Sequence, residues 1–178
     1  MAETVAGLSL WISSPKGSDL DQKLNAIVEH FSKKLGTPKW SPHITLLGSI
    51  VATPEEAVSK IQDAVKHRGP LKITLTDIVT KNLYFQCVMA KAEESQPLLS
   101  LNAFLRTVYP PHQNEPYWPH LSLVYGDLDA ETRNSVVEEI KANKDWDIVG
   151  SVINVHVIEV WNTEGPVDGW KLVGQVQL

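Results

Sequence analysis

Two short stretches of the sequence repeat one arrangement of residues that can do chemistry. Residues 40–48 read WSPHITLLG, and residues 117–126 read YWPHLSLVYG. Each stretch contains, in this order, an aromatic residue, a proline, a histidine and a hydroxyl residue. The histidine–hydroxyl pairs are His43 with Thr45 and His120 with Ser122. Histidine exchanges protons near neutral pH, and a hydroxyl can donate to a phosphoryl oxygen. The repeated pattern therefore indicates acid–base chemistry at a phosphoryl group.

Each motif has the pattern of a strand entered through a proline. Proline suits the first residue of a strand, and it holds the preceding residue extended. Side chains alternate along a strand, so the histidine and hydroxyl of each motif share a face, with Cα atoms about 7 Å apart. A phosphoryl group fits in that gap. The aliphatic residues between them should point into the core: Ile44, Leu46, Leu121 and Leu123.

Two such pairs facing each other predict a specific reaction. One neutral imidazole takes a proton from water, and one protonated imidazole gives a proton to a leaving oxygen. The Thr45 and Ser122 hydroxyls hold the non-bridging oxygens, so the reaction requires no metal and no cofactor. A lone H-x-T on a strand is more often an ordinary core or surface feature. The second copy favours the catalytic interpretation.

The elements that must position these residues alternate along the chain. Ser18, Thr53 and Asp129 are typical helix N-caps, and Gly36 is a typical C-cap. Strands are predicted at 5–12, 43–49, 71–80, 83–92, 120–125, 152–161 and 170–177, with helices at 18–34, from 53, at 96–108 and at 129–143. We expect one α+β domain over residues 1–178, with two lobes, antiparallel or mixed sheets and outer helices. The alternative is a doubly wound α/β sheet, which two hairpin signals disfavour.

Composition excludes several classes of function. The net charge is −5, so long nucleic acid is not an expected partner, because phosphate neutralisation dominates that binding. No run of residues is long enough to span a bilayer, and residues 1–14 do not resemble a signal peptide. Cys87 is the only cysteine, and no zinc-ligand spacing is present. We expect a cytoplasmic monomer, and a small phosphorylated ligand held in a local pocket remains possible; peripheral attachment to an organelle such as the Golgi would leave no signal here.

The two motifs resemble those of the 2H phosphoesterase superfamily, which is named for two H-x-[T/S]-x motifs. Further stretches resemble the fungal 2',3'-cyclic-nucleotide phosphodiesterases, and all but the last of them also resemble the plant cyclic phosphodiesterases. These stretches are LSLWISSPKGS, YFQCV, PHLSLVYGDL and EGPVDGWKLVGQVQL.

The resemblance implies a bilobal fold in which each lobe brings one motif to a central cleft, and it implies that His43, Thr45, His120 and Ser122 are catalytic. It implies metal-independent hydrolysis of nucleoside 2',3'-cyclic phosphates to 2'-phosphates. It also implies hydrolysis of ADP-ribose 1'',2''-cyclic phosphate, a by-product of tRNA splicing, to ADP-ribose 1''-phosphate.

The resemblance also places three aromatic residues around the site: Trp11, Phe85 and Tyr125. Trp11 and Phe85 could stack a base, although plain core packing would explain either residue equally well. Strand alternation sets Tyr125 on the face of Leu121 and Leu123, unless the strand ends before it.

Two other interpretations remain open. Some superfamily members process or join RNA ends, including proteins like the bacterial 2'-5' RNA ligases; the acidic charge disfavours a long RNA substrate. The second open interpretation is a nucleotide-binding module without turnover, and the two intact acid–base groups disfavour it.

Overall fold

A computed structural model describes residues 7–109 and 116–178. Eight strands and four α-helices are present in these ranges. The strands are β1 (Leu8–Ile12), β2 (Ile44–Ile50), β3 (Leu71–Thr80), β4 (Val88–Ala92), β5 (His120–Val124), β6 (Val152–Val155), β7 (Val157–Asn162) and β8 (Lys171–Gln177). The helices are α1 (Asp19–Leu35), α2 (Pro54–Val65), α3 (Gln96–Val108) and α4 (Ala130–Ala142). The first two residues of the predicted first strand and part of the irregular stretch before the second motif lie outside the described residues.

Helix boundaries follow the capping signals. The Ser18 side chain accepts from the Asp21 N–H, and Gly36 ends α1 in the left-handed conformation at φ 66°. Thr53 and Glu56 form a full capping box at the start of α2. Asp129 caps α4 by accepting from the Thr132 N–H. These predicted caps are confirmed. Each cap bonds a backbone N–H or C=O group at the end of the helix that has no partner within the helix.

The strands form one curled antiparallel sheet in the order β6-β3-β4-β5-β2-β1-β7-β8. The sheet divides into two four-stranded halves, and each half ends at the centre in a motif strand. The halves join where β2 meets β5, through the paired residues Ile44 and Leu121. The α+β prediction is confirmed, and the doubly wound alternative is wrong, since every strand pairing in the described ranges is antiparallel.

Two predicted strands differ from those observed. The strand predicted over 83–92 begins only at Val88, because Tyr84–Gln86 form a 3-10 turn closed by bonds from the Lys81 N–H. The single strand predicted over 152–161 is two strands, β6 beside β3 and β7 beside β1. His156 separates them, and the sheet curls so that the chain can pass between its two ends.

The helices cover one face of the sheet. All four contribute to one hydrophobic core with the aliphatic residues of the motifs: Ile44, Leu46, Leu121 and Leu123. The predicted inward orientation of these four side chains is confirmed. The His and hydroxyl residues therefore occupy the face of the sheet away from the helices. No helix in the described part of the chain has the length and apolarity to cross a bilayer.

Candidate active site

The pairing of the two motif strands sets the geometry of the site. Ile44 lies opposite Leu121 in antiparallel register. This is the one recorded pair between the two strands, and the histidine and hydroxyl residues flank it: His43 and Thr45 on either side of Ile44, and His120 and Ser122 on either side of Leu121. The two imidazoles lie near enough for the charge of His120 to act on His43.

These four side chains, which we call the quartet, line one cavity of about 220 Å³. The three aromatic residues named by resemblance, Trp11, Phe85 and Tyr125, line it as well. The structure thus brings all seven predicted site residues together. His43 and Ser122 are buried, with 4% and 6% of their surface exposed, whereas Thr45 and His120 are half-buried.

Both imidazoles are oriented in the same way. The His43 Nδ1 lies 2.7 Å from the Ser41 carbonyl oxygen, and the His120 Nδ1 lies 2.9 Å from the Trp118 carbonyl oxygen. A carbonyl can only accept, so Nδ1–H is the donor in each ring. Nε2 is then the basic nitrogen of each neutral imidazole. Each acceptor belongs to the residue before the motif proline, so the repeated Pro-His sequence produces one orientation twice.

Burial favours the neutral form of both rings. It lowers the pKa of His43 to about 3, and the charges of His120 and Lys16 add to the fall. The pKa of His120 is also lowered, mainly by burial and further by the charge of Lys81. An anion placed between the rings would oppose this effect, because an opposite charge stabilises the protonated form.

Trp11 stacks against the imidazole ring of His43. The two rings are parallel, with centroids 3.4 Å apart, and Trp161 stacks at 4.4 Å from Trp11. The Trp11 Nε1–H donates to the Ser9 hydroxyl at 2.7 Å, and only 2% of the Trp11 surface is exposed. In this arrangement Trp11 fixes the plane of the imidazole.

Ser122 lies among aromatic residues on the opposite side. Its hydroxyl donates to the Phe85 carbonyl at 2.8 Å, so it must rotate to donate to a phosphoryl oxygen. Tyr125 follows the end of β5, and its side chain turns to the cavity and stacks on Trp40 at 3.6 Å. Burial raises the pKa of the Tyr125 hydroxyl, and the Ser122 hydroxyl beside it partly offsets the rise.

Sequence reasoning missed several residues that line the same cavity: Ser9, Gly48, Gln86, Thr163 and Trp170. Trp170 contacts the aromatic side of the site, with its ring centroid 6.1 Å from that of Phe85 and 6.3 Å from that of Tyr125. It is the Trp of the closing stretch EGPVDGWKL, so this stretch was the available signal. The other four carry no local signature, because only the folded sheet brings them together.

Tyr117 ties the two motifs together. It stands three residues before His120, as Trp40 stands three residues before His43. Tyr117 is half-buried, and its hydroxyl donates to the Thr45 carbonyl at 2.8 Å. The aromatic residue of the second motif therefore holds the strand of the first. In the described ranges, no group of three His, Cys, Asp or Glu side chains is arranged to hold a metal ion.

Comparisons with known proteins agree with this architecture. The sequence model of a family described as cyclic phosphodiesterase-like protein matches residues 6–178. A cyclic phosphodiesterase of Arabidopsis thaliana is 23% identical over 131 residues, which cover 74% of this chain and 71% of the relative. A 2',3'-cyclic-nucleotide 3'-phosphodiesterase of Yarrowia lipolytica is 25% identical in an alignment 212 positions long, which covers 94% of this chain and 98% of the relative.

Among solved structures, E. coli LigT in its apo form has the same fold. Its TM-score is 0.63 at 18% sequence identity, and the match covers 99% of both chains. LigT has also been solved with 3'-AMP.

Proposed function

The chain belongs to the cyclic phosphodiesterase-like family of the 2H phosphoesterase superfamily, and on that premise we propose that it hydrolyses nucleoside 2',3'-cyclic phosphates to nucleoside 2'-phosphates. The observation that carries the proposal is the quartet: two imidazoles with free Nε2 atoms and two hydroxyls on one face of the sheet, lining one cavity. The names of the two curated relatives, a cyclic phosphodiesterase and a 2',3'-cyclic-nucleotide 3'-phosphodiesterase, support the substrate class.

The proposed reaction uses the quartet alone. One imidazole accepts a proton from water through Nε2 while the water oxygen bonds to phosphorus. The bond from phosphorus to the 3' oxygen breaks, and the other, protonated imidazole gives that oxygen its proton. Thr45 and Ser122 donate to the non-bridging oxygens as negative charge builds on them. Two proton-transfer groups and two oxygen donors supply what the reaction needs without a metal.

The aromatic residues suit the nucleoside part of the substrate. Phe85 and Trp170 are half-buried, and their rings are exposed toward the cavity that the quartet lines. Stacking a base on an aromatic ring contributes about 1–3 kcal/mol. We assign base contact to Phe85, with Tyr125 and Trp11 on the phosphate side, where Tyr125 lies beside Ser122 and Trp11 supports His43.

We propose ADP-ribose 1'',2''-cyclic phosphate, the by-product of tRNA splicing, as a second substrate. Its cyclic phosphodiester is chemically like that of a 2',3'-cyclic nucleotide, so the same quartet would open it. We further propose that one domain spanning residues 1–178 acts as a cytoplasmic monomer, because all four quartet residues belong to one chain. Sedimentation of the active protein as a dimer would contradict the monomer.

The test of the function is the identity of the product. Purified protein is incubated with adenosine 2',3'-cyclic phosphate in excess EDTA, and 2'-AMP is separated from 3'-AMP by chromatography. Formation of 2'-AMP alone is the expected result, since a cavity that orients the ring has one leaving oxygen. Formation of 3'-AMP, or loss of turnover in EDTA that added metal restores, would contradict the proposal.

A further inference from the structure

A second cavity, which we call the annex groove, opens beside the first. Its volume is about 590 Å³, within the range typical of ligand sites. It shares four lining residues with the quartet cavity: Thr45, Gly48, Gln86 and His120. Because these walls are common, a ligand held at the quartet can extend directly into the annex groove. Its further lining comes from residues 46, 47, 49 and 116–118 together with Lys81, Asn102 and Arg106.

The described residues that line the annex groove carry a charge opposite to that of the chain. The sequence has 21 acidic and 16 basic residues, giving a net charge of −5. Among the described residues that line the groove, Lys81 and Arg106 are cationic and none is a carboxylate. A local concentration of positive charge in an acidic protein attracts anionic groups and repels few.

Lys81 is held in place by two neighbouring groups. The Lys81 Nζ lies 3.6 Å from the centroid of the Trp118 ring and donates to the Gln86 Oε1 at 3.1 Å. Lys81 is also close enough for its charge to act on His120. Arg106 projects from α3, and its charge acts on Tyr117, the residue that ties the two motifs together. Lys81 therefore stands next to the reacting centre, while Arg106 comes from a different element.

We propose that the annex groove binds a second phosphate group of the substrate, through charge-assisted hydrogen bonds from Lys81 and Arg106. The proposal rests on the proposed function, which places the cyclic phosphodiester at the quartet. Binding of this second phosphate makes the protein selective for nucleotides that carry a further phosphate or pyrophosphate over plain nucleoside cyclic phosphates.

Binding tests the groove independently of turnover. Calorimetry compares adenosine 2'-phosphate, the proposed product, with adenosine 2',5'-bisphosphate, which adds only the second phosphate. The expected dissociation constant for the bisphosphate is lower by roughly ten- to a hundredfold, the size expected for charge-assisted hydrogen bonds. The preference should shrink as salt is raised, because Lys81 is exposed and Arg106 is only half-buried, so dissolved ions screen their charges.

The variants Lys81→Met and Arg106→Gln should each reduce that preference toward unity. Two matched controls remove a lysine and an arginine that line neither cavity. Lys60→Met removes the ammonium 5.6 Å from the Tyr109 ring, and Arg68→Gln removes the guanidinium 5.3 Å from the Phe104 ring. Both controls should keep the wild-type preference. Circular dichroism identifies any variant that has not folded, and Lys81 gives a second test if Arg106→Gln fails.

Equal affinity of the wild-type protein for the two nucleotides would overturn the proposal, as would a preference that survives both variants. A protein that keeps the bisphosphate preference but hydrolyses no cyclic nucleotide would leave the annex groove standing and contradict only the proposed function. In a protein that does hydrolyse cyclic phosphates, two substrates show whether the groove binds a pyrophosphate or a terminal phosphate. The measurement is the ratio of kcat/KM for ADP-ribose 1'',2''-cyclic phosphate to kcat/KM for adenosine 2',3'-cyclic phosphate. A ratio well above one favours a pyrophosphate, and a ratio near one favours a terminal phosphate.

Discussion

His43 and His120 differ in how closely the protein encloses them. Both donate Nδ1–H to a backbone carbonyl two residues earlier, yet His43 is buried against Trp11 and His120 is half-buried beside Trp118. Burial lowers both pKa values, and that of His43 falls to about 3. Acid–base catalysis by this pair requires one protonated ring, so the protein must gain a proton at low pH or when an anion binds.

This electrostatic arrangement predicts two different pH profiles. In the free protein the acid imidazole has a pKa below its usual value of 6.5, so kcat/KM should fall as the pH rises through that lowered pKa. A bound phosphodiester anion raises the pKa, so kcat should fall only at higher pH. Rates for adenosine 2',3'-cyclic phosphate from acidic to mildly alkaline pH check this. An alkaline limb of kcat/KM at or above that of kcat, or flat profiles, would count against paired imidazoles.

For individual residues, the sequence predicted the members of the quartet but not their arrangement. The repeated motif predicted which side chains share a face, because strand alternation is local. It did not predict that Ile44 pairs with Leu121, which brings the two motifs side by side, because register depends on the pairing of strands far apart in the chain. The stack of Trp11 on His43 needs the same long-range information.

The seam between β2 and β5 is the element on which the quartet depends. One residue pair joins the two strands, and the Tyr117 hydroxyl adds a bond to the Thr45 carbonyl. Tyr117→Phe should lower the free energy of unfolding by about 1–3 kcal/mol, since the carbonyl loses this donor. It should also lower kcat roughly tenfold or more, because the spacing of Thr45 and His120 changes. Denaturant unfolding and steady-state kinetics measure the two effects.

Tyr109→Phe is the matched control. The Tyr109 hydroxyl also donates to a buried carbonyl, that of Ala57 at 3.1 Å, but it joins α3 to α2 away from the site. This variant should lose similar stability and keep kcat. If both variants kept kcat, the bond to Thr45 would have no role in positioning the quartet.

Elements were predicted well where local signals define them. Caps at Ser18, Thr53 and Asp129 begin helices as expected. The errors fall where tertiary structure overrides propensity. Aromatic residues 84 and 85 favour a strand, yet a 3-10 turn there brings the Phe85 carbonyl to Ser122. The alternating pattern of residues 152–161 continues across His156, and nothing local shows that the strand changes partners there.

The whole molecule depends on close packing between the helix layer and the curled sheet. Gly174 in β8 lies directly beneath Val58 of α2, and a Cβ at position 174 would collide with the Val58 side chain. Gly174→Ala should therefore lower the free energy of unfolding by about 1–3 kcal/mol as the layers separate. Gly69→Ala is the control, because no atom lies within 4 Å of a Cβ placed there. Equal unfolding midpoints for the two variants would show that the layers are not in tight contact at β8.

The central claim is that the quartet itself performs the hydrolysis. Its most direct test is the single-turnover rate of adenosine 2',3'-cyclic phosphate in excess EDTA for His43→Ala, His120→Ala and the double variant, with His156→Ala as the control. Each single variant should lose roughly 10²–10⁴ in rate, the usual contribution of an acid–base group. The double variant should lose little more than the worse single one, because the two rings act as a unit. A near-wild-type rate in His43→Ala or His120→Ala, or an equal loss in His156→Ala, would contradict the account.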